Sequence, residues 1–227
     1  MKTSTACNVI VQLALAAALT AVVGCKSSGN YQKGAATGAG LVQAAAKIEQ
    51  GITNIDAVLT SMNNLTTSTQ GDLTPKYKQF TSDVSNLKDS AENVKERVAE
   101  MRENGTAYLK TWDEQLAQIK NEDIKARSTE RKKAVEKELT DIKKSYTEVQ
   151  ISFDPFMSNL TDIQTALGND LTTGGVESVK GAVETANKHG TDLKAAMNKL
   201  AGEFRDLGVA MSSSAPAEAT TTNAPAQ

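Results

Sequence analysis

The chain is poor in the residues that large cores and most chemical sites require. Aromatic side chains make up 4% of its 227 residues, and there are two cysteines, one tryptophan and one histidine. So few rings argue against a wide globular core, and smaller apolar residues must supply the burial along narrow helical seams. One histidine cannot complete a Cys/His zinc site or the paired Glu-x-x-His motifs of di-iron bundles.

Charge and motifs exclude further classes of protein. The 25 basic and 27 acidic residues leave a net charge of -2, which argues against a nucleic-acid binder because such proteins need a basic excess. No GxxxxGK[ST] phosphate loop occurs. His189, the sole candidate base, is expected on a solvated face. We therefore predict no catalytic, metal or cofactor site, no enzymatic activity and no nucleic-acid partner.

The N-terminus carries a targeting signal. Lys2 precedes an apolar run from Val9 to Val23, which is shorter than the roughly 20 residues that a membrane-spanning helix needs. The end of the run resembles the bacterial lipobox, whose cysteine receives a diacylglyceryl group and becomes the mature N-terminus. The residues expected to be recognised by the signal peptidase are Val22, Val23 and Gly24. We predict lipidation at Cys25, with acyl chains such as palmitate anchoring the protein.

The lipobox resemblance also implies a location. Lys26 follows the cysteine, where Asp would favour inner-membrane retention in enteric bacteria. The resemblance therefore implies a lipid-anchored protein of the cell envelope, at the outer membrane and facing the periplasm. Two alternatives stay open from the sequence, namely an ordinary secretory signal with an incidental cysteine and a plain transmembrane anchor.

Beyond the signal, apolar residues recur in alternating steps of three and four. A mean spacing of about 3.5 residues is typical of long helices packed along seams, whereas strands would alternate at period two. The predicted helices cover residues 34–66, 74–120, 123–167 and 175–210. We predict an all-α, elongated, coiled-coil-like antiparallel bundle of about four long helices. The predicted domains are a signal peptide (1–24), a polar tether (25–33), the helical bundle (34–211) and a disordered Ala/Thr/Pro tail (212–227).

The second and third helices are predicted to form one long hairpin. If its turn centres near residue 122, paired residues have numbers that sum to about 243, and the two apolar stripes meet along their length. Representative predicted pairs are Tyr108 with Val135, Met101 with Ile142, and Leu87 with Phe156. The helix rise makes this hairpin about 65–70 Å long, so the predicted shape is a rod.

Four residues interrupt these patterns locally. Pro155 removes a backbone donor and is expected to kink the third helix. Gly105 occupies a seam position, where it indicates a bend or a close helix contact. Gly34 and Gly38 are interpreted as a lead-in to the first helix.

One weak contact surface is predicted near the tip of the hairpin. In the predicted register Trp112 lies opposite Arg131 and Lys132, which indicates a cation–π contact that caps the seam. Structural packing is the favoured interpretation of Trp112, and a ligand platform is the alternative. The stretch 125–144 is mildly basic, so it is either a solvated face or a surface for anionic lipid or polymer.

Three short motifs carry a resemblance to a known family. They are Tyr108-Leu-Lys-Thr-Trp112-Asp-Glu-Gln-Leu116, Arg127-Ser128-Thr-Glu130-Arg131 and Phe153-Asp-Pro155. With them the chain resembles, over about residues 35–210, a family of uncharacterised proteobacterial envelope lipoproteins that is catalogued only as a domain of unknown function. The resemblance implies a lipobox, a long helical body and outer-membrane attachment, and it transfers no activity.

Two functions are compatible with this sequence. The leading hypothesis is a non-enzymatic structural or protein-interaction lipoprotein whose rod reaches an envelope protein or cell-wall component. The alternative is a carrier that holds an apolar ligand or lipid between its helices. Small residues at seam positions motivate the carrier, and they are Ala91, Gly105, Ala186 and Gly190. Self-association through unused seam surface stays open.

Overall fold

A computed structural model describes residues 30–68 and 71–212, which form helices joined by short loops. The helices are α1 (Asn30–Thr66), α2 (Thr74–Leu116), α3 (Glu122–Asn169), α4 (Thr173–Ser178) and α5 (Lys180–Met211). Those residues include no strand, so the predicted all-α bundle is confirmed. The predicted lipidation site Cys25, the residues Val22, Val23 and Gly24, the signal peptide and positions 213–227 of the predicted tail lie outside the described residues.

Three helix boundaries differ from the prediction. α1 begins at Asn30, so residues 30–33 are helical although they were assigned to the tether, because the first turn packs on α2 through a Lys33–Thr111 hydrogen bond of 3.0 Å. α2 ends at Leu116. Beyond it, the amides of Gln118 and Ile119 donate to the carbonyl oxygens three residues earlier, as in a 3₁₀ turn. The predicted fourth helix is divided into α4 and α5 at Val179.

The connection between α2 and α3 is well specified by its sequence. The Asn121 side chain accepts a hydrogen bond of 3.0 Å from the amide of Ile124, which satisfies one of the unpaired donors at the start of α3. Glu122 and Asp123 occupy the first turn, where negative charge is favoured by the helix dipole. The predicted break near residue 122 is therefore confirmed.

The four long helices alternate in direction. Three side-chain pairs join α1 to α5, and they are Asn63–Asn187, Asp56–Lys194 and Glu49–Arg205. Residue numbers rise along α1 while they fall along α5, so the two helices are antiparallel. α1 also packs on α2, and α3 packs on α5, whereas α1 and α3 lie diagonally across the bundle. The fourth edge, between α2 and α3, makes much the least contact of the four.

The core is built from the few large side chains the chain possesses. Three of the four phenylalanines, Phe80, Phe156 and Phe204, are at most 1% exposed.

Pro155 does not interrupt α3, which runs from Glu122 to Asn169 as one helix. The proline is exposed, so water can satisfy the carbonyl that loses its donor.

Two glycines bring α1 and α5 into backbone contact. A Cβ atom added at Gly38 would lie 2.7 Å from the carbonyl oxygen of Gly208, and one added at Gly208 would lie 2.8 Å from the carbonyl oxygen of Gly38. Neither position therefore tolerates a larger residue unless the helices separate. Gly34 packs against the ring of Tyr108, where an added Cβ would lie 3.0 Å from Cε2. The interpretation of Gly34 and Gly38 as a lead-in is wrong, because both are packing positions within α1.

Gly38→Ala is expected to lower the free energy of unfolding by about 2 kcal/mol, because its methyl group overlaps a backbone atom that cannot rotate away. Gly202→Ala is the matched control on α5, where nothing lies within 4 Å of an added Cβ. That change should raise the stability by about 0.5–1 kcal/mol through helix propensity. Urea-induced unfolding of both variants checks the prediction, and equal effects of the same sign would contradict it.

Candidate functional site

The register of α2 on α3 is fixed by contacts near both ends of the pair. Near the α2–α3 loop, Lys132 Nζ lies 2.8 Å from Asp113 Oδ1, and Trp112 Nε1 donates to Ser128 Oγ at 3.0 Å. At the opposite end, the Tyr77 hydroxyl donates to the backbone carbonyl of residue 164 at 2.9 Å. These pairs confirm the predicted register. The predicted continuous seam between the two stripes is wrong.

Between these two sets of contacts, α2 and α3 stand apart and leave an open groove. Its larger part has a volume of about 530 Å³, within the range of roughly 300–1,000 Å³ that small-molecule sites occupy. A smaller part of about 260 Å³ continues toward Leu87. The two parts share Lys95, Tyr146 and Gln150, so they form one continuous feature, which we call the α2–α3 groove.

The floor of the α2–α3 groove is part of the hydrophobic core. Met101 and Ile142 form its inner edges, while Leu41 of α1 and Phe204 of α5 lie beneath them. All four are at most 7% exposed. Farther along, Met197 takes the place of Phe204 beneath the groove. A ligand resting here would therefore lie directly over the hydrophobic core.

The groove exists because one heptad row of α2 changes size along the helix. This row consists of Tyr77, Val84, Ala91, Val98, Gly105 and Trp112. The aromatic rings at its two ends reach α3 through the bonds just described, whereas the shorter Ala91 and Val98 between them line the opening. Gly105 also lines the groove, and there the Leu139 side chain of α3 packs against the glycine. The facing row of α3 consists of Leu139, Tyr146 and Phe153.

The four small seam residues named from the sequence divide into two pairs. Ala91 and Gly105 line the groove. Ala186 is fully buried, and an added Cβ at Gly190 would lie 3.0 Å from a methyl group of Leu59. The pair on α5 therefore belongs to the packed core. On α2, Ala91 borders the open space, whereas Gly105 is buried and an added Cβ there would lie 3.3 Å from a methyl group of Leu139 on α3, which confirms the predicted close helix contact at this glycine.

One polar group on the wall of the groove is the hydroxyl of Tyr146. Tyr146 is half-buried and has no hydrogen-bond partner among the described residues. Desolvation raises the pKa of its hydroxyl, and the charge of Lys95 partly opposes that shift. Lys95 itself is paired with Glu92 at 3.2 Å. The hydroxyl therefore stays protonated near neutral pH and is available as a hydrogen-bond donor toward the groove.

The three residues of the predicted contact surface near the tip make contacts other than the predicted ones. The ring of Trp112 packs on Tyr108 with centroids 5.3 Å apart, and its indole nitrogen bonds to α3. Lys132 is engaged with Asp113, while Arg131 donates to the carbonyl oxygen of Ala210 at 3.3 Å. The predicted cation–π contact is therefore wrong. Trp112 closes one end of the groove, because its indole N–H donates to Ser128 and so holds the ring against α3.

The remaining features to be compared with the sequence predictions are His189, groups of metal-ligating side chains and membrane-spanning helices. His189 is not on a solvated face, since it is half-buried and its Nδ1 lies 2.8 Å from Asn159 Oδ1. Across residues 30–68 and 71–212, no three His, Cys, Asp or Glu side chains gather as metal ligands would. None of the helices in the described part of the chain combines the length and apolarity needed to cross a membrane.

The fold and the site together define an antiparallel four-helix bundle with one edge opened into an apolar groove. This chain belongs to a family described as protein of unknown function (DUF2959), whose model matches residues 39–205. That match confirms the resemblance to an uncharacterised family. It covers all of α2 and α3, and therefore the whole groove. No curated protein and no solved structure matches the chain.

Proposed function

We propose that this protein is a lipid-anchored, non-enzymatic binding protein of the bacterial envelope that holds an apolar ligand in the α2–α3 groove. The observation that supports it best is the open edge itself. A four-helix bundle ordinarily buries all four of its seams, yet here two facing heptad rows are left apart over an apolar floor. Each CH₂ group of a ligand buried there would contribute about 0.8 kcal/mol.

The carrier is favoured over a purely structural rod for an energetic reason. Leu139, Tyr146 and Phe153 remain partly exposed along the groove. A rod that only spans a distance would gain stability by filling α2 with larger residues in the facing row, because close packing lowers the free energy of the folded state. The small side chain of Ala91 instead keeps space available for another molecule.

The proposed anchor would lie beside the α2–α3 loop. Lys33, near the start of α1, bonds to Thr111, and Arg131 bonds to Ala210 near the end of α5. The start of α1 and the end of α5 therefore both lie close to the tip of the α2–α3 hairpin. A lipid on Cys25, five residues before Asn30, would hold this end toward the membrane and leave the groove along the side of the bundle.

Mass spectrometry of the mature chain from membranes tests the anchor. We expect the first residue to be Cys25 carrying acyl groups, because a thiol is the nucleophile that this modification requires. The Cys25→Ser variant should retain residues 1–24 and carry no acyl mass. An unmodified N-terminus, or cleavage at another position, would contradict the proposed location.

Native mass spectrometry tests the groove. Full-length processed protein is extracted from envelope membranes in detergent, and the detergent is stripped in the gas phase. The proposal predicts one non-covalently bound amphiphile per chain in addition to the covalent lipid. A spectrum that holds only the chain and its covalent lipid, under conditions that preserve the fold, would overturn the carrier function.

A protein-interaction role is the second candidate, and one exposed side chain favours it. Ile124 lies just after the α2–α3 loop and is 58% exposed, so it offers an apolar contact at the projecting tip. Its partner would be an envelope protein or a cell-wall component. A photo-crosslinking residue placed at Ile124 in intact envelopes would capture that partner, and no crosslinked product would count against this role.

A further inference from the structure

We propose that the α2–α3 groove selects an anionic amphiphile with a single acyl chain. The head group would lie between Arg102 and Lys143, and the chain would run over Tyr146 toward Phe153. This inference rests on the proposed carrier function and deepens it by naming the class of ligand.

Two cations face each other across the groove, nearer its Leu109 end than its Leu87 end. Arg102 on α2 and Lys143 on α3 both line its larger part, and they flank the floor residues Met101 and Ile142, which are paired in the register. Neither side chain has an ion pair or hydrogen bond to any residue that the structure describes. Two unpaired cations above an apolar floor would bind a carboxylate or phosphate through charge-assisted hydrogen bonds.

The other charged groups along the groove leave this point positive. Lys95 is paired with Glu92 toward the Leu87 end, and Asp154 lies farther on in the same direction. Glu136 lies toward the α2–α3 loop, about two helical turns from Lys143. The carboxylates that line the groove therefore lie to either side of the two cations, and an anion is favoured between Arg102 and Lys143.

The length of the groove decides the direction of the chain. From Arg102 the groove extends about 22 Å toward Leu87 and only about 10 Å toward Leu109, at the rise of an α-helix. One acyl chain spans half of a bilayer core, which is about 15 Å. Such a chain therefore fits only in the direction of Leu87, where Val149 and Phe153 line the walls. A second chain has no comparable space, so the ligand is a single-chain amphiphile.

Two photoreactive probes test this inference on the full, lipidated chain in envelope membranes. The first probe is palmitate with a diazirine at the end of its chain, and the second is the matching long-chain alcohol. Labelled peptides are identified by mass spectrometry. We expect palmitate to label residues around Val149 and Phe153 roughly tenfold more than the alcohol does, as one lost charge-assisted contact implies.

The double variant Arg102→Gln/Lys143→Gln should remove that preference and leave labelling by the alcohol unchanged. Its matched control is Lys88→Gln/Lys110→Gln, which removes the same charge from α2 outside the groove and should keep the preference. Equal labelling of the wild-type groove by both probes would overturn the anionic head group and leave the carrier function standing. Absence of groove labelling by either probe would overturn the carrier function as well.

Discussion

Phe156→Ala is expected to lower the free energy of unfolding by about 4 kcal/mol, the largest loss of stability that we predict for one substitution. The Phe156 side chain is fully buried. Its ring packs against Gly190, where an added Cβ would lie 3.2 Å from Cε2. Removing the ring therefore leaves a cavity at the contact of α3 with α5, and close-packed helices relax only partly to fill it.

Phe153→Ala is the matched control, one helical turn earlier on α3. Phe153 is partly exposed and lines the α2–α3 groove, so the same truncation should cost only about 1–2 kcal/mol. Urea-induced unfolding of the two variants measures the difference directly. Equal losses would mean that the groove is closed and that Phe153 is as well packed as Phe156.

Gly105→Trp is expected to reduce occupancy of the groove by roughly tenfold or more, which corresponds to at least 1.4 kcal/mol of binding free energy. An added Cβ at Gly105 points at Leu139, with 3.3 Å to Cδ1. The Leu139 methyl groups must move by a few tenths of an ångström, which a flexible side chain at the edge of the groove allows, so the substitution should be accommodated. The indole would then fill the larger part of the groove, much as Trp112 closes its end.

Gly202→Trp makes the same change of residue outside the groove. Nothing lies within 4 Å of an added Cβ there, so occupancy of the groove should match that of the wild type. The amount of bound amphiphile per chain, measured by native mass spectrometry, checks both variants. Equal occupancy in Gly105→Trp and Gly202→Trp would contradict the groove as the binding site.

The main features of the fold were predictable from the sequence. Heptad spacing identifies the long helices because one apolar face must be buried in each. Asn121 and the two acidic residues after it identify the α2–α3 turn because they satisfy the unpaired donors and the dipole of the following helix. The register follows from that turn, and the Asp113–Lys132 pair agrees with it.

Pairing between the helices was less predictable. Heptad rows show which residues are apolar and do not show which neighbour each row faces. On α3 the row of Ile142, Val149 and Phe156 enters the core, while the row of Tyr146 and Phe153 faces the groove. Both rows look alike in the sequence, because apolar character alone does not distinguish a buried surface from one that lines a cleft.

One sequence signal could have revealed the groove. In the α2 row from Tyr77 to Trp112, small residues stand between aromatic ends, and a row whose size varies in this way cannot contact a straight partner evenly. The close approach of Gly38 to Gly208 carries no comparable signal. It depends on the relative positions of two helices that are far apart in sequence, and a glycine alone does not report them.

A crystal structure of the protein purified from the cells that make it tests the central claim most directly. The account predicts that α2 and α3 stay apart between Ala91 and Gly105, with density for one extended molecule over Met101 and Ile142. A structure in which Val98 and Leu139 pack against each other, with the groove closed and empty of any bound molecule, would contradict it.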